Sequence, residues 1–324
     1  MSLACLVTLL PACRRAADPA APGASVAEHR GSNTKPPGIE VVDGLGRTVH
    51  LVRPAERIVS LTPSSTEILH AIGAGGRIVA GTSVDNDPPE VKGLPTVGGM
   101  AARSINLEAI AALTPDLVLL SGHSQESIVA PLERLGLKAV ALDAEDFAGV
   151  AQNIRTAGLL TGCETEADRL AESFLGRVEA VRARVAARPG PRPRVLYLVH
   201  DDPLMTAGPA TFIGRMIELA GGTNAFGDVT TRYPRPSEEE VLARAPEVIL
   251  ASTGAMAGRE SDEAARRQRL LSRAGWAQVP AIRDDRIAFL DEDVVSRPGP
   301  RLVDGLEAMA EAIGSFARSS EMGR

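Results

Sequence analysis

NLEAIAALTPDLVLLS (residues 106–121) and SEEEVLARAPEVILAS (residues 237–252) align without a gap. Each opens on a residue that caps a helix, Asn106 or Ser237, and carries a glutamate two positions on, Glu108 or Glu239. A branched apolar residue follows, and then Pro115 or Pro246, which cannot continue a helix because it lacks the N–H and clashes with the preceding turn. An acidic residue and a short apolar run close the segment, the pattern of a strand buried on both faces. A helix feeding a buried strand is the unit of parallel α/β structure, and its repetition indicates two α/β lobes.

The same grammar extends outward from both copies. TEILHAIGAGG (66–76) has a looser counterpart in TFIGRMIELAGG (211–222). Strands are predicted over 58–61, 78–81, 117–121 and 139–142, with helices over 65–72, 106–113 and 126–135. After the break RPGPRP (188–193) strands resume over 195–199, 248–252 and 287–290. Between the halves, Ala167, Leu170, Phe174, Val178, Val181 and Val185 recur every three or four positions without a proline. Residues 164–187 therefore predict one helix of about 36 Å at 1.5 Å per residue. At the start, IEVVDGLGRTVHLV (39–52) reads as a hairpin around Gly44-Leu45-Gly46. The expected fold is two Rossmann-like α/β lobes, 39–145 and 191–324, joined by a helical linker over 146–190, with a ligand cleft between them.

Composition narrows the function. At 324 residues, 44% apolar and 23% charged, the chain is that of a globular protein of two domains. A formal charge of -6 without any concentrated basic run excludes a nucleic-acid partner. No apolar stretch reaches the ~18 residues a membrane-spanning helix requires. The one targeting signal is at the N-terminus, where an apolar segment leads to Leu10-Pro11-Ala12-Cys13. This resembles a lipobox, so residues 1–13 are expected to be a signal peptide with Cys13 the lipidated residue and membrane contact made through that anchor. Residues 14–38, rich in Ala, Pro, Gly and Ser, read as a flexible tether. Cys163 stands alone in the body of the chain and reads as a small apolar residue.

Ligand sites in parallel α/β sheets lie beyond the carboxyl ends of the strands. The turn Thr62-Pro63-Ser64-Ser65-Thr66 follows the first such strand, so Ser64 and Ser65 are candidates to meet polar ligand atoms, with helix capping the alternative. His123 and His200 each follow a strand and can point into the cleft, as hydrogen-bonding groups or as metal ligands. Tyr233, in the loop RYPRP, offers a rigid aromatic wall. Glu108 and Glu239 complement a helix dipole or dock a partner. Enzyme signatures such as GxSxG, HExxH, a phosphate loop of Walker type or a Cys/His cluster are missing from the sequence. Gly73, Gly75 and Gly76 follow a helix and stop it, so they do not form a dinucleotide fingerprint.

RIVSLTPSSTEILHAIGAGGRIVAGT (57–82), DNDPPEVKGLPTVGG (85–99), the first repeat, PLMTAGPATFIGRMIELAGGTNAFGD (203–228) and YPRPSEEEVLARAPEVIL (233–250) occur in that order. Together they resemble the cobalamin and iron-chelate periplasmic binding proteins, over residues 39–313. The resemblance implies two lobes on a long helix, limited lobe motion and delivery of a small metal-chelate ligand to the permease dimer of an ABC importer. It also implies no catalytic activity, no resident cofactor and no structural metal. The family's permease-docking glutamates fall on Glu108 and Glu239, and its pocket contacts near Val84, Met100, Met205, Tyr233 and Asp293. The DPPE and TAG-TFI segments look most like cobalamin binders, which place aromatic rings at several of these positions. Here only Tyr233 is aromatic, so corrinoid is the first reading and haem or a ferric siderophore the second. From another class, a two-lobed metal chelatase would need a catalytic His and acidic pair.

Overall fold

The computed structural model describes residues 38–254 and 262–322. The signal segment, Cys13 and most of the tether lie outside these residues. The first strands, β1 (Ile39–Val42) and β2 (Thr48–Leu51), pair antiparallel as the expected hairpin. Gly46, at φ 73°, takes the left-handed conformation that the turn needs.

The first lobe is built on β3 (Ile58–Ser60), β4 (Ile78–Ala80), β5 (Leu117–Ser121) and β6 (Ala139–Leu142), all parallel in the order β4-β3-β5-β6. Helices α1 (Pro63–Ala71), α2 (Leu107–Ala112), α3 (Gly122–Gln125) and α4 (Val129–Arg134) connect these strands. The helix expected over 126–135 begins as a 3-10 turn at Glu126–Ile128. Its N-terminal part lies beside α3, which sequence reading did not separate.

The segment 146–190 folds as two helices where sequence reading found one. α5 (Phe147–Thr161) precedes α6 (Glu164–Ala186). Periodicity missed α5 because its exposed side carries Ala148, Gln152 and Leu159 and the helix holds a single charged residue, Arg155, so no charged face contrasts with the buried one. Its end is set by Gly162, left-handed at φ 68°, after which the chain turns back so that α6 lies on α5. The crossing is tight: a Cβ on Gly158 would stand 2.3 Å from the Cβ of Ala167. On α6 the buried residues are Ala167, Ala171, Phe174, Val178 and Val181, the predicted stripe.

The second lobe contains β7 (Arg194–Asp201), β8 (Leu204–Thr206), β9 (Thr223–Asn224), β10 (Val248–Thr253) and β11 (Ile287–Asp291). Their order is β11-β10-β7-β8, with β9 also pairing on β7, and only β8 is antiparallel. Its helices are α7 (Phe212–Leu219), α8 (Glu238–Arg244), α9 (Glu263–Leu271), α10 (Pro280–Arg283), α11 (Glu292–Ser296) and α12 (Leu302–Met322).

One apolar cluster runs through both lobes, from Ile68, Leu119 and Phe147 through Phe174 to Val195, Ile213 and Leu306. The outer face of each sheet has a separate core, around Val118 in the first lobe and Trp276 in the second. Because close-packed interiors resist deformation, a core shared through α5, α6, α7 and α12 stiffens the connection. Arg177 of α6 adds an ionic tie to α12, reaching Asp304 at 2.5 Å and Glu307 at 2.6 Å.

Candidate functional site

The carboxyl ends of the two parallel sheets meet through named contacts. Glu67 of α1 is buried at 4% exposure and receives both Nε (3.1 Å) and Nη2 (2.6 Å) of Arg301. Arg297 donates from Nη1 to Asn86 Oδ1 at 2.6 Å, and Asn86 Nδ2 donates to Asp293 Oδ2 at 2.7 Å. Arg297 also pairs with Asp293 at 2.6 Å, and Arg301 with Asp87 at 3.3 Å. On the other side, Arg215 of α7 donates to the Glu145 carbonyl and lies 3.9 Å from its carboxylate. Apart from Arg297–Asp293, which lies within the second lobe, these ties cross from lobe to lobe between residues up to 234 positions apart. Sequence reading missed Glu67, Asn86, Arg297 and Arg301, since no local pattern marks partners so distant in the chain.

Burial raises the Glu67 carboxyl above its ordinary range, against the lowering effect of the two arginines. Asp85, in the same corner, is raised by burial as well. Its Oδ2 accepts from Thr82 N at 2.8 Å and Thr66 Oγ1 at 3.3 Å.

Of the residues singled out by sequence, Val84 (42% exposed), Met100 (50%) and Tyr233 (45%) share one property. They are three of the seven large apolar side chains that are exposed among the described residues; the other four, Val42, Val52, Leu135 and Leu159, stand at positions the sequence did not single out. Met100 opens a cavity of about 600 Å3, lined also by Ala101, Ala102, Arg103, Ser124 and Ser127. Met205 is half-buried on β8. Asp293 is engaged with Asn86 and Arg297, one partner on each carboxylate oxygen.

Ser64 is half-buried, whereas Ser65 departs from the expectation. It is 1% exposed, and its hydroxyl lies 2.8 Å from Thr62 Oγ1, the side chain that caps α1. The capping reading therefore describes this turn, with Ser64 alone left at the surface.

The two histidines differ in the nitrogen they leave free. Asp143 Oδ2, which as a carboxylate only accepts, sits 3.0 Å from His123 Nδ1, so Nδ1 carries a proton, and in the neutral ring Nε2 is the unprotonated nitrogen. The hydrogen bond to Asp143 raises the pKa of His123 above the ordinary imidazole value. At His200 the polarity is reversed. The backbone N–H of Asp202 donates to His200 Nδ1 at 3.3 Å, which places the neutral ring's proton on Nε2. Among the described residues no three His, Cys, Asp or Glu side chains converge as a metal cage.

Glu108 and Glu239 hold the same position, second in the first turn, behind N-caps Asn106 and Ser237. In the second lobe Glu240, not Glu239, closes the capping box with Ser237. Both repeat glutamates are exposed, and neither has an ion pair among the described residues. Hydrogen bonds from its own backbone N–H and from Ser237 hold the Glu239 carboxyl below its usual range, so it stays charged.

Residues 58–294 match the family model for periplasmic binding proteins. An ABC transporter substrate-binding lipoprotein of Bacillus subtilis, YvrC, is 29% identical over 281 residues, 85% of each chain. Among solved structures, the periplasmic vitamin B12-binding protein BtuF of Vibrio cholerae superposes with a TM-score of 0.71 at 28% identity, covering 82% of this chain and 98% of that one. The periplasmic haem-binding protein RhuT of Roseiflexus gives 0.70 at 30%, covering 81% and 99%. A match over most of the sequence and a two-lobed fold shared along nearly the full length of such proteins lead to one conclusion: the chain belongs to the periplasmic binding protein family, a family of solute-binding proteins and not of enzymes.

Proposed function

We propose that this protein captures a corrinoid in the cleft between its lobes and delivers it to an ABC permease dimer. The observations that support the reading are the exposed apolar side chains Val84, Met100 and Tyr233 and the open depression of about 600 Å3 that Met100 lines on the first lobe. A large, mostly apolar macrocycle with polar edges suits such walls, and Ser124 and Ser127 supply hydroxyls in the depression. The likeness to vitamin B12-binding proteins supports the same choice. A second reading, a haem or ferric-siderophore binder, is favoured by the exposed imidazole of His123 and by the likeness to a haem-binding protein. Glu108 and Glu239 are the permease contacts in either case, and Cys13, through its lipobox, is the anchor that keeps the tethered protein at the membrane.

Ligand-induced thermal stabilisation against cobalamin, cobinamide, haem and ferric siderophores tests the proposal. A ligand at 100 times its dissociation constant adds about 2.7 kcal/mol of stability. A rise in Tm with corrinoids alone supports the first reading, and a rise with haem alone replaces it by the second. Tyr233→Ala weakens the interaction by about 1–3 kcal/mol, the worth of one buried aromatic wall.

A further inference from the structure

We infer that Glu238 is the positioning residue of the second lobe's docking turn: locked between Arg273 and Trp276, it fixes the start of α8 so that Glu239, the next residue, points its carboxylate outward. The inference rests on the reading of Glu108 and Glu239 as permease contacts and names what aims the second of them.

Both carboxylate oxygens of Glu238 are engaged. Oε1 accepts from Arg273 Nε at 2.8 Å and lies 2.6 Å from Arg273 Nη2, and Oε2 accepts from the indole Nε1–H of Trp276. Trp276 is wholly buried in the outer core of the lobe, where its one polar hydrogen needs a partner, and Glu238 is that partner. Arg273 lies over the same ring, 5.0 Å from its centroid, and donates from Nη1 to the Asp201 carbonyl at 3.0 Å. Asp201, at the end of β7, is in turn gripped by Arg266, which is 2% exposed and reaches the two carboxylate oxygens at 2.5 and 2.6 Å. The first turn of α8 is thereby fastened to the sheet as well as to the core.

Capping does not account for Glu238, since Ser237 and Glu240 complete the capping box between them. The repeat shows what the position is for. Glu238 aligns with Leu107, the residue before Glu108, and Leu107 packs its partly buried side chain against the outer core of the first lobe. Each copy therefore sets an inward anchor immediately before its exposed glutamate, apolar in the first lobe and ionic in the second. Successive side chains of a helix diverge by about 100°, so holding one of them inward directs the next outward. A carboxylate carried on a fixed turn has less freedom to lose on meeting a partner, which is how preorganisation raises affinity.

Uptake by host cells that lack the chromosomal gene separates docking from stability. Each full-length variant is expressed at graded levels, and uptake of radiolabelled cyanocobalamin or haem, whichever stabilises the purified protein, is followed against the amount of protein. The half-saturating amount reports docking, and the plateau reports transport. Glu238→Ala and Arg273→Gln are both expected to raise the half-saturating amount about two- to fivefold, the worth of one exposed ion pair, with the plateau and the ligand affinity in equilibrium dialysis unchanged. Glu238→Gln, which still accepts from Trp276, should fall between Glu238→Ala and the wild type. In a Glu239→Gln background none of the three should weaken docking further, because the anchor acts through Glu239. An effect of Glu238→Ala that adds in full to that of Glu239→Gln, or one that Arg273→Gln does not share, makes Glu238 itself a permease contact and overturns the inference. Half-saturation raised by Glu239→Gln but unchanged by Glu238→Ala and Arg273→Gln also overturns it, and leaves the docking reading standing. Half-saturation unchanged by Glu239→Gln removes both.

Discussion

Glu67 and Arg301 form a two-pronged salt bridge, at 2.6 and 3.1 Å, with the carboxylate almost wholly enclosed. One partner belongs to the first helix of the first lobe and the other lies just before the last helix of the second. Together with Arg297 they pin the lobes at the base of the cleft. The pair's value lies in geometry more than in energy, since desolvation offsets much of the Coulombic attraction.

Removing one partner is therefore costly. Arg301→Ala leaves Glu67 buried with only Arg297, 3.4 Å away, and should lower unfolding stability by about 1–3 kcal/mol, the cost of an uncompensated buried polar group. Urea denaturation measures this. A loss under 0.5 kcal/mol, the scale of ordinary surface substitutions, roughly, would show that the bridge is inert.

Asp85 should give stability a pH dependence of definite sign. Burial raises its folded-state pKa above the ordinary 3.8, and its Oδ1 is buried without a partner among the described residues. Folding thus favours the protonated acid. The contribution is fully present below the unfolded value and is lost as pH rises through the folded one. Asp85→Asn removes that loss, so the mutant should gain on the wild type as pH increases and then plateau. Melting curves across the pH range check it, and a constant difference at all pH values would contradict it.

Gly158 is required by the contact between α5 and α6. Gly158→Ala brings a methyl within 2.3 Å of the Ala167 Cβ, and overpacking of this kind costs about 1–3 kcal/mol. Helix propensity alone predicts the opposite, a gain of up to about 1 kcal/mol. The sign of the change in Tm decides between them, and Ala167→Gly in the same chain should restore part of the loss.

Charge reversal at Glu108 and Glu239 tests docking. The double mutant Glu108→Arg, Glu239→Arg should lose uptake in cells while ligand affinity and melting temperature stay close to wild type, because both side chains are exposed and Glu240 retains the capping role. Each single reversal should be intermediate. Docking in vitro should weaken with salt, since exposed charges are screened over about 8 Å at physiological ionic strength. Normal uptake by a stable double mutant would rule the role out.

The imidazole of His123 should titrate above the ordinary value in the unliganded protein, and Asp143→Asn should bring it down, because the hydrogen bond to that carboxylate is the main cause of the rise. Ring-resonance NMR titration reads both. An equal pKa in the two proteins would mean that the pair is not formed in solution.

The amino-acid sequence by itself determined the two lobes, their strands and the long connecting helix. Repeat spacing, prolines and apolar period are local signals that survive without a partner, as α6 illustrates with its stripe from Ala167 to Val181. It also isolated Glu108 and Glu239, since a duplicated position is visible in the chain alone. Only the tertiary structure decided which candidates stand at a surface. Ser64 and Ser65 are neighbours in sequence, yet one is half exposed and the other enclosed, because the helix turns successive side chains by about 100°. It likewise gave His123 and His200 different partners, a carboxylate opposite one and a backbone N–H opposite the other. The cross-lobe ties of Glu67, Asn86, Arg297 and Arg301, which also engage Asp293, were invisible beforehand for the same reason. Hydrogen bonds between residues more than 200 positions apart exist only once packing brings the strand ends together.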